Sequence, residues 1–154
     1  MEDTNTTAEI GGFSAMLKKA LGPLVDQQAK GFVEMMAEDA VMEFPYAPPG
    51  VVRKLVGRAA LADHLQRIGG MIDFTGFSQP VVHRTENPEI VILEFTCDGT
   101  IPATGRPYQQ HYISVITLRD GRIIHYLDYW NPLVVLDAMG GTQPQHSSLQ
   151  ETGQ

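Results

Sequence analysis

Residues 108–130 read YQQHYISVITLRDGRIIHYLDYW. Two runs rich in β-branched and aromatic residues flank Asp120-Gly121, a dipeptide that suits the positive backbone angles of a tight hairpin turn. If Asp120 and Gly121 are the whole turn, Arg119 opposes Arg122, Val115 opposes Tyr126, Ile113 opposes Asp128 and His111 opposes Trp130. Directly opposed residues share a face of the sheet. The pattern therefore predicts one face with His111, Ile113, Val115, Tyr126, Asp128 and Trp130, and another with Gln110, Tyr112, Ser114, Leu127 and Tyr129. Both faces are partly apolar, so both are expected to be covered, one lining a pocket and the other forming a subunit interface. A one-residue bulge would exchange the two sets.

Upstream of the hairpin, residues 89–100 (EIVILEFTCDGT) form the most β-like run, and 71–84 read as an irregular strand bulged at Gly76 and Pro80. The first third is helical. Phe13, Met16, Leu17, Ala20, Leu21 and Leu24 follow the spacing of one buried stripe, which Gly22-Pro23 should end. Asp26 is a candidate cap for a second short helix carrying Phe32, Val33, Met35 and Met36. A short strand is expected over 40–44. A loop with Pro45, Pro48, Pro49 and Gly50 follows, bringing Phe44 and Tyr46 to a cavity mouth. Residues 57–68 form a third helix, which Gly69-Gly70 should stop. Helices first and strands later argue for an α+β fold with a mostly antiparallel sheet.

At 154 residues the chain is one domain long, and no internal repeat is visible. We expect a leader over 1–9, a single domain over 10–141 and a polar tail over 142–154. No apolar run reaches membrane-spanning length and no signal-peptide core is seen near Met1, so the expectation is a cytoplasmic protein without membrane contact. A net charge of −7 with scattered Lys and Arg opposes nucleic-acid binding. The lone Cys97 excludes an intrachain disulfide and reads as a small hydrophobe. His83, His111 and His125 lack metal-ligand spacing, so no metal is expected. No serine-nucleophile elbow and no phosphate loop occurs, so no cofactor is expected either.

Two residues carry chemistry on this pattern. On the third helix, Leu61, His64, Leu65 and Ile68 fall within about 100° of arc, which turns His64 inward with the apolar stripe. A partly buried imidazole is the usual acid–base group near neutral pH; its alternative is a core histidine bonded to a carbonyl. Asp128 stands among Tyr126, Leu127, Tyr129 and Trp130. Such surroundings strip hydration from a carboxylate and raise its pKa, which suits a general acid or base; the alternative is a solvated, salt-bridged aspartate. Glu94, alone in an apolar strand, reads as outward and solvated.

The order of elements resembles the SnoaL-like branch of the nuclear transport factor 2-like superfamily. The resemblance covers roughly residues 13–141. It rests on Glu38-Asp39-Ala40-Val41, Phe44-Pro45-Tyr46-Ala47-Pro48, Gly57-Arg58, Thr104-Gly105-Arg106-Pro107-Tyr108, Asp120-Gly121-Arg122-Ile123 and Asp128-Tyr129-Trp130-Asn131-Pro132-Leu133. It implies a cone: a curved antiparallel or mixed sheet wrapped around three N-terminal helices and enclosing a pocket, usually paired into a homodimer through the sheet. Two segments are similar to the phenazine-biosynthesis PhzA/PhzB proteins. Residues 57–64 match the helix carrying their active-site histidine, which falls on His64. Residues 126–132 match the strand carrying their acidic proton shuttle, which falls on Asp128, where the family has the longer glutamate. Ketosteroid isomerases place an aspartate base where this chain has Phe44, and their oxyanion-hole aspartate falls near Ser114, so that apparatus is not carried over.

These readings combine into one expectation. A small apolar carbonyl compound would enter the pocket and undergo cofactor-free isomerisation, cyclisation or condensation. Asp128 and His64 would be the catalytic pair, with Phe44, Tyr46, His111, Tyr126 and Trp130 as the substrate-binding walls. The rival expectation is a module of the same fold that binds a small ligand or dimerises without catalysis.

Overall fold

In a computed structural model, which describes residues 12–140, the strands that the hairpin organises form the middle of the sheet. Strand β5 spans Ile90–Ile101, β6 spans Arg106–Arg119 and β7 spans Arg122–Trp130. Before them come α1 (Phe13–Leu21), a 3₁₀ turn (Gly22–Leu24), α2 (Phe32–Met35), β1 (Met36–Glu43), β2 (Lys54–Val56), α3 (Arg58–Met71), β3 (Asp73–Phe77) and β4 (Val81–Arg84); α4 (Pro132–Ala138) closes the chain. The fold is thus α+β, with helices lying in a curved, open sheet. The strand order is β2-β1-β7-β6-β5-β3, with β4 also paired to β5. Only the β1–β7 pair is parallel. No described helix is long and apolar enough to cross a membrane. The expected leader and tail lie outside the described residues.

The hairpin turn forms where the dipeptide predicts it. Asp120 and Gly121 both have positive φ, 54° and 80°, and Arg119 opposes Arg122. The register beyond it differs from the expectation. Leu118 pairs with Ile123, but Thr117 pairs with His125, so Ile124 is an extra residue on β7. Its physical reason is the spacing of the two most buried side chains of the strand. Ile123 and Tyr126 are three apart, and a regular strand would turn one of them outward. The bulge spoils one step of the ladder and buries both, at 0% and 1% exposure.

Other departures are local. Asp26 does not cap a helix: its carboxylate accepts the Gln28 amide at 2.9 Å and pairs with Arg122 at 3.0 Å, tying the N-terminal loop to the hairpin turn. The second helix is therefore a single turn, and β1 begins at Met36 rather than Ala40. Gly69-Gly70 does not stop α3, which runs on to Met71 and ends where Ile72 donates to the Ile68 carbonyl. The irregular stretch 71–84 resolves into β3 and β4, with a register shift between Phe74 and Gly76. Gly99 is required there: a Cβ would stand 2.6 Å from the Asp73 carbonyl oxygen.

The core lies between the helices and the concave face. Leu17, Leu21, Phe32, Met35, Leu61, Leu93, Ile116 and Tyr126 are essentially inaccessible. Burial of each large side chain is worth about 1.5–3 kcal/mol. Ser14 on α1 accepts the Phe32 amide at 3.1 Å, and the Phe13 and Phe32 rings meet edge to face at 5.0 Å. Those contacts tie α1 to α2.

Candidate functional site

The concave face and the helices leave a cavity of about 580 Å³, within the roughly 300–1,000 Å³ usual for small-molecule sites. Its wall is mostly apolar and rich in aromatic rings: Phe13, Phe44, Phe74, Phe77, Phe95 and Trp130 all contribute. Polar groups enter from two directions. Asp128, Tyr108, Tyr112 and Tyr126 come from the sheet, and His64 and Arg67 come from α3.

His64 is placed by two anchors on its own helix. Arg58 donates to the Met36 carbonyl from Nε at 3.1 Å and from Nη2 at 2.8 Å, and the Gly57 amide donates to the Ala40 carbonyl at 2.7 Å. Together they pin the first turn of α3 to β1. His64 then packs against Phe44, ring centroids 5.4 Å apart, and Phe44 in turn lies 6.1 Å from Trp130. Partial burial, and then the nearby Arg67 guanidinium, lower the His64 pKa below its usual 6.5. The imidazole is therefore neutral at pH 7, with one N–H to donate.

Asp128 is 9% exposed, and its pKa is raised from 3.8 to about 8. Burial is the cause. No cationic side chain, His64 included, contributes to the shift, and no described residue hydrogen-bonds or ion-pairs the carboxyl. Its oxygens are not sealed off, since no described buried side-chain oxygen is left without a partner. The carboxyl therefore opens onto the cavity that it lines. Its influence reaches Tyr108, Tyr112, Tyr126 and Cys97, whose acid forms it helps to hold.

Of the seven residues singled out from the sequence, five line the one cavity: His64, Asp128, Phe44, Tyr126 and Trp130. Tyr126 does so with its hydroxyl engaged by Ser114 at 2.8 Å. Two are corrected. His111 was expected beside Asp128, but the bulge at Ile124 puts Ser114 opposite Asp128 and turns His111 to the outer, exposed face. Tyr46 is 59% exposed and meets Tyr129 edge to face at 5.2 Å, again on the outer side. The same bulge brings in residues the expected register had sent outward: Tyr112, Ser114 and Gln110 now share the inner face with Asp128. The doublet Ile123-Ile124, which breaks strict alternation, was the available signal. Glu94 faces outward as read, 2.6 Å from His83. Cys97 is a buried thiol, 2% exposed.

A curved open sheet over helices, with one large apolar cavity holding a few ionisable groups, is the architecture of the nuclear transport factor 2-like fold. A Burkholderia xenovorans protein of that description superposes with TM-score 0.61 at 22% identity, over 80% of this chain and 92% of its own. Residues 23–126 match the SnoaL-like domain family, and the chain belongs to that family. Among its relatives, the uncharacterized protein YesE of Bacillus subtilis is 45% identical over 82% of this chain and 86% of its own length. An uncharacterized PhzA/B-like protein of Pseudomonas aeruginosa is 35% identical over 88% and 95%. Among solved structures, a Bacillus subtilis protein named as a candidate isomerase matches with TM-score 0.71 at 45% identity, covering 82% of this chain and 91% of that one. A phenazine biosynthesis-related protein of Pseudomonas aeruginosa matches in fold, with TM-score 0.64 at 18% identity over 91% and 85%.

Proposed function

We propose that this chain is a cofactor-free acid–base enzyme that moves a proton on an enolisable carbonyl compound held in the cavity. The observation that carries the reading is Asp128: a buried, unpaired carboxyl that opens onto an aromatic chamber, with a pKa of about 8. A group titrating near the working pH serves equally as acid and base. Its ionised fraction takes the α-proton of the substrate. The neutral His64 donates its N–H to the carbonyl oxygen, where charge develops as the C–H bond breaks. When the substrate is a β,γ-unsaturated ketone, the carboxylic acid so formed returns the proton to the γ-carbon of the resulting dienolate, and Asp128 ends as it began. That is an isomerisation; a cyclisation or condensation follows instead if the α-carbon of the enolate attacks a second carbonyl, whose oxygen then takes the proton from Asp128.

One observation favours binding without turnover: His64 and Asp128 come from different walls, and no hydrogen bond or ion pair joins them. On the catalytic reading the substrate fills that gap. The outer sheet face, with Ile113 42% exposed beside Val115, Leu127 and Tyr129, is proposed to pair with a second copy of this chain.

The test is deuterium exchange at the α-carbon of cyclic ketones in heavy water, beginning with α-tetralone and followed by NMR. Wild type is expected to exchange well above the buffer rate, and Asp128→Asn to fall to it. Equal exchange in the two proteins would overturn the reading.

A further inference from the structure

The acid–base reading uses Asp128 and His64 and leaves a second polar cluster unexplained. It consists of Tyr108, Gln110 and Tyr112 on β6 with Cys97 on β5, all on inward-facing positions. Gln110 is 2% exposed and fully committed. Its Oε1 accepts the His111 amide at 3.1 Å and the Asn131 amide at 2.9 Å. Two fixed backbone donors on one atom settle which end of the side chain is oxygen. Nε2 must therefore be the other end, where it donates to the Asn131 carbonyl at 3.1 Å and to the Tyr108 hydroxyl oxygen at 3.4 Å.

This has a consequence for the phenols. The Tyr108 oxygen accepts an N–H of Gln110, and the Tyr112 hydroxyl lies 3.7 Å from the Cys97 sulfur. Tyr108 and Tyr112 lie on the same face of β6, on either side of Gln110. The described hydrogen bonds give the Tyr108 hydroxyl hydrogen no acceptor, so it is available to a guest. Both tyrosines line the cavity. Tyr126 differs, because its hydroxyl is closed into a pair with Ser114. Burial pushes the Tyr108 and Tyr112 phenols up, so both keep their protons through the neutral range.

We propose that Gln110 is a positioning residue that, by donating to the Tyr108 oxygen, leaves the Tyr108 hydroxyl hydrogen for the cavity, making Tyr108 a donor at its sheet end that selects ring compounds bearing an acceptor oxygen. The inference rests on the acid–base reading and adds to it the orientation of the guest. A ketone or enolate oxygen has two lone pairs and can accept from a phenol of the sheet end as well as from His64, whereas a hydrocarbon ring leaves the phenolic hydrogen unmet. The expected discrimination is about tenfold, the worth of one good hydrogen bond.

The experiment measures binding of α-tetralone and of tetralin, the same ring system without the oxygen. Fluorescence of Trp130, the only tryptophan and part of the cavity wall, reports occupancy. In Tyr108→Phe the ratio of tetralone to tetralin affinity should fall roughly tenfold while tetralin binds as before. Gln110→Glu places an acceptor where Nε2 was, turns the Tyr108 proton back toward residue 110, and should lower the ratio similarly. Gln110→Met, which neither donates nor accepts, should give a smaller loss and serves if the glutamate variant does not fold. A ratio unchanged in Tyr108→Phe, or tetralin and tetralone affinities falling together, would overturn the proposal; so would a wild type that does not bind tetralone. Exchange of the tetralone α-protons separates the two ideas. Loss of selectivity without Asp128-dependent exchange removes the enzyme and keeps the donor end. Asp128-dependent exchange with unaltered selectivity does the reverse.

Discussion

Two carboxyls at strand β7 sit in opposite environments, one on each face of the sheet. On the inside, Asp128 has no partner, and burial lifts its pKa to about 8. On the outside, His125 meets Glu43 of the neighbouring parallel strand at 2.8 Å, and that hydrogen bond holds the Glu43 carboxyl below its usual range. The outer pair is solvated, with both side chains more than a third exposed. Both are carboxyls beside a strand of the same sheet, yet one is pushed toward the acid form and the other toward the anion. The difference teaches where to look for chemistry. An exposed ion pair contributes little and resembles ordinary surface structure, whereas an unpaired buried carboxyl costs stability and persists where something else is gained.

The comparison can be broken in several ways, and the largest effect expected is on chemistry. Asp128→Asn should lower ketone α-proton exchange by about 10²–10⁴-fold, whereas Glu43→Gln should leave it unchanged. Next is His64→Ala, where loss of one donor to the developing oxyanion should lower exchange by about a hundredfold, with ring binding retained.

Stability should separate the faces with opposite signs. For Asp128, the folded pKa of about 8 lies above the 3.8 of the unfolded chain. Below pH 3.8 both states hold the proton and the group contributes nothing. Between the two values the unfolded chain releases its proton while the folded protein keeps it, so stability falls as pH rises. Above pH 8 the loss is complete, on the order of 5 kcal/mol for a shift of this size. Denaturant unfolding should therefore find Asp128→Asn less pH-sensitive than wild type, with its relative advantage growing from pH 4 to pH 8. Glu43 has its pKa lowered, so its contribution is present at neutral pH and lost on acidification through the folded value. Glu43→Gln should shift the unfolding midpoint least of these variants. A separate change on the outer face, Ile113→Asp, should convert a dimer to monomer in sedimentation if that face is the proposed interface.

Legibility in the sequence followed the range of the forces involved. The Asp120-Gly121 turn is a local matter of backbone angles, and it forms where the dipeptide sits. The inward turn of His64 is also local, set by helical period. The face opposite Asp128 was not legible by counting, because the register depends on burying Ile123 and Tyr126 together, a tertiary demand that the ladder met with a bulge. One extra residue moved His111 out and brought Tyr112, Ser114 and Gln110 in. Tyr46 failed for another reason: a loop residue between prolines has no period to orient it, and its ring found Tyr129 on the outside. The role of Gln110 needed three backbone partners to be seen in space.

The central claim is that Asp128 keeps its proton at neutral pH because it is dry and unpaired. Carbon-13 NMR of the aspartate carboxyls, with Asp128→Asn identifying the signal, measures this directly. The account predicts a titration centred near pH 8. A signal that titrates near pH 4, as a solvated aspartate does, would contradict it.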